Sequence, residues 1–134
     1  MKIVLDTNVF ISGIFFRGPP FEILNAWKHS RLQIVLTKKI LEEYQRVAGA
    51  LANKFPTIHI LPIIELLTIH SLFIDADDFA ISVCQDPDDN KFIECAIASK
   101  AKIIVSGDKH LLNVTGYQGI TVLKPREFVD RHLR

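Results

Sequence analysis

Along this chain, short β-branched apolar runs alternate with stretches of helical period. Lys2 to Leu5, Leu32 to Leu36, Ile103 to Val105 and Ile120 to Leu123 predict strands, and Ala80 to Cys84 predicts a weaker one. Apolar runs that do not alternate with polar residues suit strands covered on both faces, and helices between them suit right-handed crossovers. The expected fold class is therefore α/β, a three-layer α/β/α sandwich around a mostly parallel sheet of four to five strands.

The helices between the runs have recognisable starts. Gly18-Pro19-Pro20 opens one through Phe21, Leu24 and Trp27, because proline is tolerated in a first helical turn. Thr37 is placed to cap a second, running through Ile40, Tyr44 and Val47. Gly49 to Thr57 reads as a loop, and a third helix follows near Pro62 to Ser71. Asp88 or Asp89 starts a fourth, and Pro125 a last one that ends in Arg131-His132-Leu133-Arg134. With no internal repeat, low-complexity tract or linker, residues 1–134 are expected to form one domain, a length that suffices for a single core.

Composition narrows the class without naming a chemistry. Hydrophobic residues make up 49% and charged residues 23%, as in an ordinary globular protein. No apolar stretch reaches the roughly 18 residues of a membrane span. Asp6 and Asn8 interrupt the first apolar run before it could serve a signal peptide, so a cytoplasmic location is expected. Cys84 and Cys95 lie in apolar stretches and are expected to be free buried thiols. Sixteen basic and fifteen acidic residues leave a net charge of +1, so no global basic field announces a nucleic-acid partner.

The acidic residues carry more information. In open parallel sheets, ligands bind beyond the carboxyl ends of the strands. Asp6 directly follows the first run, Asp108 follows Ile103 to Gly107, and Asp86, Asp88 and Asp89 follow Ala80 to Cys84. Taken singly, each aspartate could serve as a helix N-cap. Several on one sheet edge repel one another and raise each other's pKa unless a cation compensates.

Helical wheels choose among neighbours. Glu43 lies at the margin of the apolar face formed by Ile40, Leu41, Tyr44, Val47 and Ala48, whereas Glu42 points nearly opposite. Asp89 begins a stripe continuing through Phe92, Ile93, Ala96 and Ile97, so its side chain is expected to leave the helix start toward the sheet. Asp86 and Glu94 are second-rank candidates. Oxygen-only ligands favour Mg2+ or Mn2+, which could activate water and stabilise an in-line displacement at phosphorus. The five histidines show no paired ligand spacing, so no zinc site is expected.

Four blocks, in order, carry a family resemblance: Val4-Leu5-Asp6-Thr7-Asn8-Val9-Phe10-Ile11-Ser12, Ile40-Leu41-Glu42-Glu43-Tyr44, Asp86-Pro87-Asp88-Asp89-Asn90-Lys91-Phe92 and Val105-Ser106-Gly107-Asp108-Lys109-His110-Leu111-Leu112. Together they resemble the PIN-domain family, and in particular the toxin components of toxin–antitoxin systems, relatives of the VapC-like ribonucleases. The resemblance implies a metal-dependent endoribonuclease in which Asp6, Glu43, Asp89 and Asp108 form the catalytic metal site and Asn8 and Ser106 give polar support. Ser106 stands where the family often has threonine and keeps the hydroxyl. RNA as substrate, a small antitoxin protein as partner and a homodimer are further implications, with the apolar Ile58 to Leu72 segment as one possible dimer surface.

Lys38, Lys91 and Lys109 flank the acidic blocks and could hold RNA phosphates, although ordinary solvated lysines explain them too. Phe15, Phe16 and Arg17 could stack on a base, contact a partner or join the core. Three alternatives remain. One is a PIN-like module that binds RNA or protein without cutting. Another is a receiver-like phosphoacceptor domain, suggested by Lys124-Pro125 but lacking an acidic pair after the first strand. A haloacid-dehalogenase-like phosphatase would need a second aspartate where Asn8 stands.

Overall fold

The structure is a computed structural model describing residues 1–134. Five strands, β1 (Lys2–Leu5), β2 (Gln33–Leu36), β3 (Leu72–Phe73), β4 (Ile103–Val105) and β5 (Thr121–Leu123), form one parallel sheet in the order β3-β2-β1-β4-β5. The helices are α1 (Thr7–Phe15), α2 (Pro19–Lys28), α3 (Lys38–Ala52), α4 (Leu61–His70), α5 (Asn90–Ser99), α6 (Lys109–Leu112) and α7 (Pro125–Phe128). The expected α/β sandwich around a parallel sheet is what forms. From β1 the chain steps outward through β2 to β3, then returns to β4 on the other side of β1. Right-handed crossovers therefore put α1 to α4 on one face and α5 on the other. The direction of winding reverses between β1 and β4, which makes their carboxyl ends the topological switch point. This order also differs from the 2-1-3-4-5 order of receiver domains, and that alternative falls.

Burial of the strands explains their composition. Ile3, Val4, Leu5, Ile34, Val35, Leu36, Ile104 and Val105 are completely buried, as expected for a sheet covered on both faces. Trp27, Phe10, Tyr44, Phe92 and Phe128 fill the space between sheet and helices. On α3, Ile40, Tyr44 and Ala48 recur every four residues and form its buried stripe. Tyr44 stacks on Phe10 with ring centroids 4.3 Å apart and donates its hydroxyl proton to the Leu5 carbonyl, fixing α3 against the end of β1. Thr37 caps α3 as expected, its hydroxyl accepting from the Ile40 amide at 3.3 Å.

Two expectations need correction, and two elements, β3 and α1, carry no clear signal in the sequence. Ala80 to Cys84 is not a strand. The neighbouring Asp77 and Asp78 and the exposure of Ala80, Ser82 and Val83 leave it without a buried face, and side chains of α5 satisfy its backbone instead. The Ile81 amide donates to Glu94 at 3.1 Å and the Cys84 amide to Asn90 at 2.9 Å. The edge position beside β2 is taken by β3, a two-residue strand too short for a periodic signal, which Ile74 extends by donating to the Leu36 carbonyl at 3.0 Å. The segment after Asp6 forms α1, although its β-branched residues give no helical start signal. Finally, α3 continues through Gly49 to Ala52, so the loop begins only at Asn53. Cys84 and Cys95 are free and buried, as expected.

The packing of α1 on α2 depends on a glycine. A Cβ at Gly13 would lie 2.7 Å from Leu24 Cδ1 and 2.8 Å from the Pro20 carbonyl oxygen, and the latter is backbone that cannot swing aside. Gly13→Ala is expected to destabilise the protein by about 1.5 kcal/mol in urea denaturation, overpacking outweighing alanine's better helix propensity. An increase in stability would contradict this packing.

Candidate functional site

Three aspartates reach the switch point from three different chain turns. Asp6 ends β1, where its amide donates to the Val105 carbonyl at 3.0 Å in a continuation of the sheet ladder. Its carboxylate makes no capping bond to α1 although the residue occupies the N-cap position. Instead it accepts the proton of the Ser106 hydroxyl at 2.7 Å, and Ser106 in turn accepts from the Asp108 amide at 2.9 Å. Ser106 is fully buried, so this relay ties the end of β1 to the turn after β4. The Asp108 carboxylate uses one oxygen to cap the His110 amide at 2.9 Å.

Asp89 arrives from the other direction, at the end of a 3-10 turn over Pro87–Asp89 that leads into α5. It is 7% exposed, it caps nothing, and its Oδ2 is buried without a hydrogen-bond partner. Asp86 and Asp88, by contrast, are exposed. Asp86 caps the Asp88 amide at 3.0 Å, a local bond that accounts for its place in the chain. Capping thus explains Asp86, half explains Asp108, and explains neither Asp6 nor Asp89.

The three acids are near enough to feel one another's charge. Burial raises the pKa of Asp89 to about 7, reinforced by Asp108, Asp6 and Asp86. Burial also raises that of Asp6, the Ser106 bond opposes the rise, and Asp108 and Glu43 add to it. An orphaned buried carboxylate oxygen beside two further acids is the environment in which a cation relieves both desolvation and repulsion. As the side chains stand, no three His, Cys, Asp or Glu residues converge as a complete ligand set. The donors fit a hard divalent ion held through one or two carboxylates and its own waters.

Glu43 approaches from α3 with its side chain 12% exposed, while that of Glu42 is 61% exposed. Its oxygens are engaged elsewhere. Lys91 Nζ lies 2.7 Å from Oε1, Arg46 lies 3.7 Å from Oε1, and the Thr7 hydroxyl donates to Oε2. Thr7 and Arg46 are partners that sequence reasoning missed. The signal for Thr7 was its place directly after Asp6, and that for Arg46 its place three residues after Glu43 on one helix. Lys91 also bonds Asp88, at 2.9 Å to the carboxylate and 2.8 Å to the carbonyl, and its hydrogen bond holds the Asp88 carboxyl below its usual range.

The remaining candidates lie further out. Asn8 is exposed on the first turn of α1. Lys38 is 90% exposed and only 4.0 Å from Glu42, and Lys109 is exposed beside Asp108. Glu94 is occupied by the Ile81 amide and lines, with Lys38, Lys39, Phe73 and Lys91, a groove of about 650 Å³ beyond the ends of β2 and β3. Phe15 and Phe16 pack on Phe55 at 5.6 and 6.0 Å, and Arg17 lies over the Phe21 ring at 4.6 Å. The thiols are chemically quiet. Burial pushes Cys95 up to about 12 and, helped by Asp89, Cys84 up to about 11.

Known proteins resemble this chain in sequence or in fold. The uncharacterized protein MJ1680 of Methanocaldococcus jannaschii is 32% identical over 145 residues, spanning 97% of this chain and 90% of that protein. A chain in the crystal structure of VapBC2 from Rickettsia felis, bound to a DNA fragment from their promoter, has the same fold. It superposes with a TM-score of 0.60 over 92% of this chain and 98% of its own, at 14% identity. The T. brucei RRP44 PIN domain gives 0.50 over 96% and 79%, at 16% identity. No helix is long and apolar enough to cross a membrane. The profile of the PIN domain matches residues 2–110, so the chain belongs to the PIN domain family.

Proposed function

We propose that this chain is a metal-dependent endoribonuclease, with Asp6, Asp89 and Asp108 gathered around Mg2+ or Mn2+ and Glu43 as the fourth acid at the flank. The observation that carries the reading is the pair of buried carboxylates, Asp6 and Asp89, that cap no helix and gather with Asp108 at the switch point. The bound ion supplies an activated water and a counter-charge for the phosphoryl group. The protein's part is positional. Ser106 holds one Asp6 oxygen, leaving the other for the ion, and the His110 amide orients Asp108. Asn8, exposed on the first turn of α1, gives polar support beside the ion, and Lys38 and Lys109 contact the RNA backbone from the rim.

The likeness to VapBC2 supports a toxin role with a small antitoxin partner, and family membership supports a nucleic-acid substrate. An adjacent small reading frame encoding a DNA-binding protein would strengthen the toxin reading, and a solitary gene would weaken it. We place the protein in the cytoplasm. Homodimerisation through the Ile58 to Leu72 segment is part of the same proposal, since Leu61 and Ile69 are 68% and 82% exposed there.

The test is cleavage of an RNA panel by purified protein with Mn2+, Mg2+ or excess chelator. Cleavage that needs the metal and disappears with chelator is expected. Activity surviving chelator would sink the metal-carboxylate reading, and RNA binding without cleavage across the panel would favour a non-catalytic module.

A further inference from the structure

Glu43 on α3 and Lys91 on α5 belong to opposite faces of the sheet and meet over its carboxyl edge at 2.7 Å. Both side chains are nearly withdrawn from solvent, 12% and 11% exposed, so the pair is not a screened surface contact. Lys91 has three N–H donors and three acceptors at bonding distance: Glu43, the Asp88 carboxylate and the Asp88 carbonyl. Glu43 is near enough to Asp6 to raise its pKa, yet its oxygens are taken by Lys91, Thr7 and Arg46. Glu43 therefore stands at the flank of the three aspartates with its oxygens already engaged.

We propose that Lys91 is a positioning residue that competes with the divalent cation for Glu43, holding that carboxylate off the Asp6, Asp89 and Asp108 cluster until the cation displaces the ammonium. The inference rests on the metal-site reading above and adds a built-in competitor to it. An ammonium beside the cluster acts in two ways, by repelling an incoming cation and by withholding one oxygen donor. If the pair were only a structural strut, breaking it would loosen the edge where α3 meets α5 and weaken metal binding. If Lys91 is a competitor, its removal strengthens metal binding.

The experiment is Mn2+ titration calorimetry without RNA on the wild type, Lys91→Met, Lys91→Gln, Lys91→Arg and Lys91→Met combined with Glu43→Gln. Removing the ammonium is expected to tighten Mn2+ binding about tenfold or more in the Met and Gln variants. Lys91→Arg keeps the charge and stays near the wild type, and the double variant loses the gain. Unchanged or weaker binding in the folded Met or Gln variants overturns the proposal, as does a gain that persists in the double variant. Wild type and variants all failing to bind Mn2+ would instead remove the metal-site reading, and this inference with it.

A second measurement needs no substitution. Reductive methylation of Lys91 in the wild type, followed by mass spectrometry, is expected to be slow without Mg2+ and to accelerate when Mg2+ is added. Equal protection in both conditions overturns the proposal.

Discussion

Asp6→Asn and Asp108→Asn are each expected to lower metal-dependent RNA cleavage at least about a thousandfold, with circular dichroism unchanged. Asparagine keeps the shape of the side chain and can still accept a proton from Ser106 or cap the His110 amide, so the backbone relay between β1 and β4 survives. What it removes is the negative charge that a hard cation requires. Loss of activity without loss of fold separates this account from one in which the aspartates only terminate strands. Wild-type rates in either variant would contradict the assignment.

Asp89→Asn is expected to abolish cleavage to a similar degree while making the metal-free protein more stable above neutral pH. The folded-state pKa of Asp89 is raised to about 7 from an ordinary 3.8, so the folded state holds this proton more tightly than the unfolded chain does. The stabilisation from that protonation is complete below 3.8 and is lost as pH rises through about 7. At pH 8 the wild type therefore carries a buried, uncompensated carboxylate that the variant lacks. A gain of about 2 kcal/mol, or about 5 °C or more in melting temperature, is expected there, shrinking to nothing near pH 4. Mg2+ is expected to restore the wild type at pH 8 and to leave the variant unmoved. A variant less stable than wild type at pH 8 would show that the carboxylate is already compensated within the chain.

Much of the frame was legible because its strands are buried on both faces. Ile3 to Leu5, Ile34 to Leu36 and Ile103 to Val105 stand out as unbroken apolar runs for that physical reason, and the aspartates after the first and third of them locate the sheet edge. A helical wheel separates Glu43 from Glu42 because a helix on a sheet has an inside and an outside. It cannot show that Lys91, 48 positions further along the chain, reaches Glu43 from the opposite face, because that contact depends on two crossovers of opposite direction. Lys91 reads in sequence as one of several exposed cations, whereas in the fold it is mostly enclosed.

The mistaken strand and the helix without a start signal share a cause. Ala80 to Cys84 has strand composition without a partner strand, and its amides are satisfied by Glu94 and Asn90. The segment Thr7–Phe15 has strand composition too, but tertiary packing against α2 and α3 makes it a helix. Local preference was outweighed in both places by what lay across the fold. The same contacts matter for the site, since α1 carries Thr7 to Glu43, and the Ala80 to Cys84 segment is tied to α5 immediately after Asp89.

The central claim is that Asp6, Asp89 and Asp108 hold a divalent cation at the switch point between β1 and β4. Its most direct test is a crystal of the wild-type protein soaked in Mn2+ and measured for anomalous scattering. The account predicts a peak bounded by those three carboxylates, with the buried Asp89 Oδ2 among its ligands. A peak elsewhere, or none at a Mn2+ concentration that supports cleavage, would contradict it.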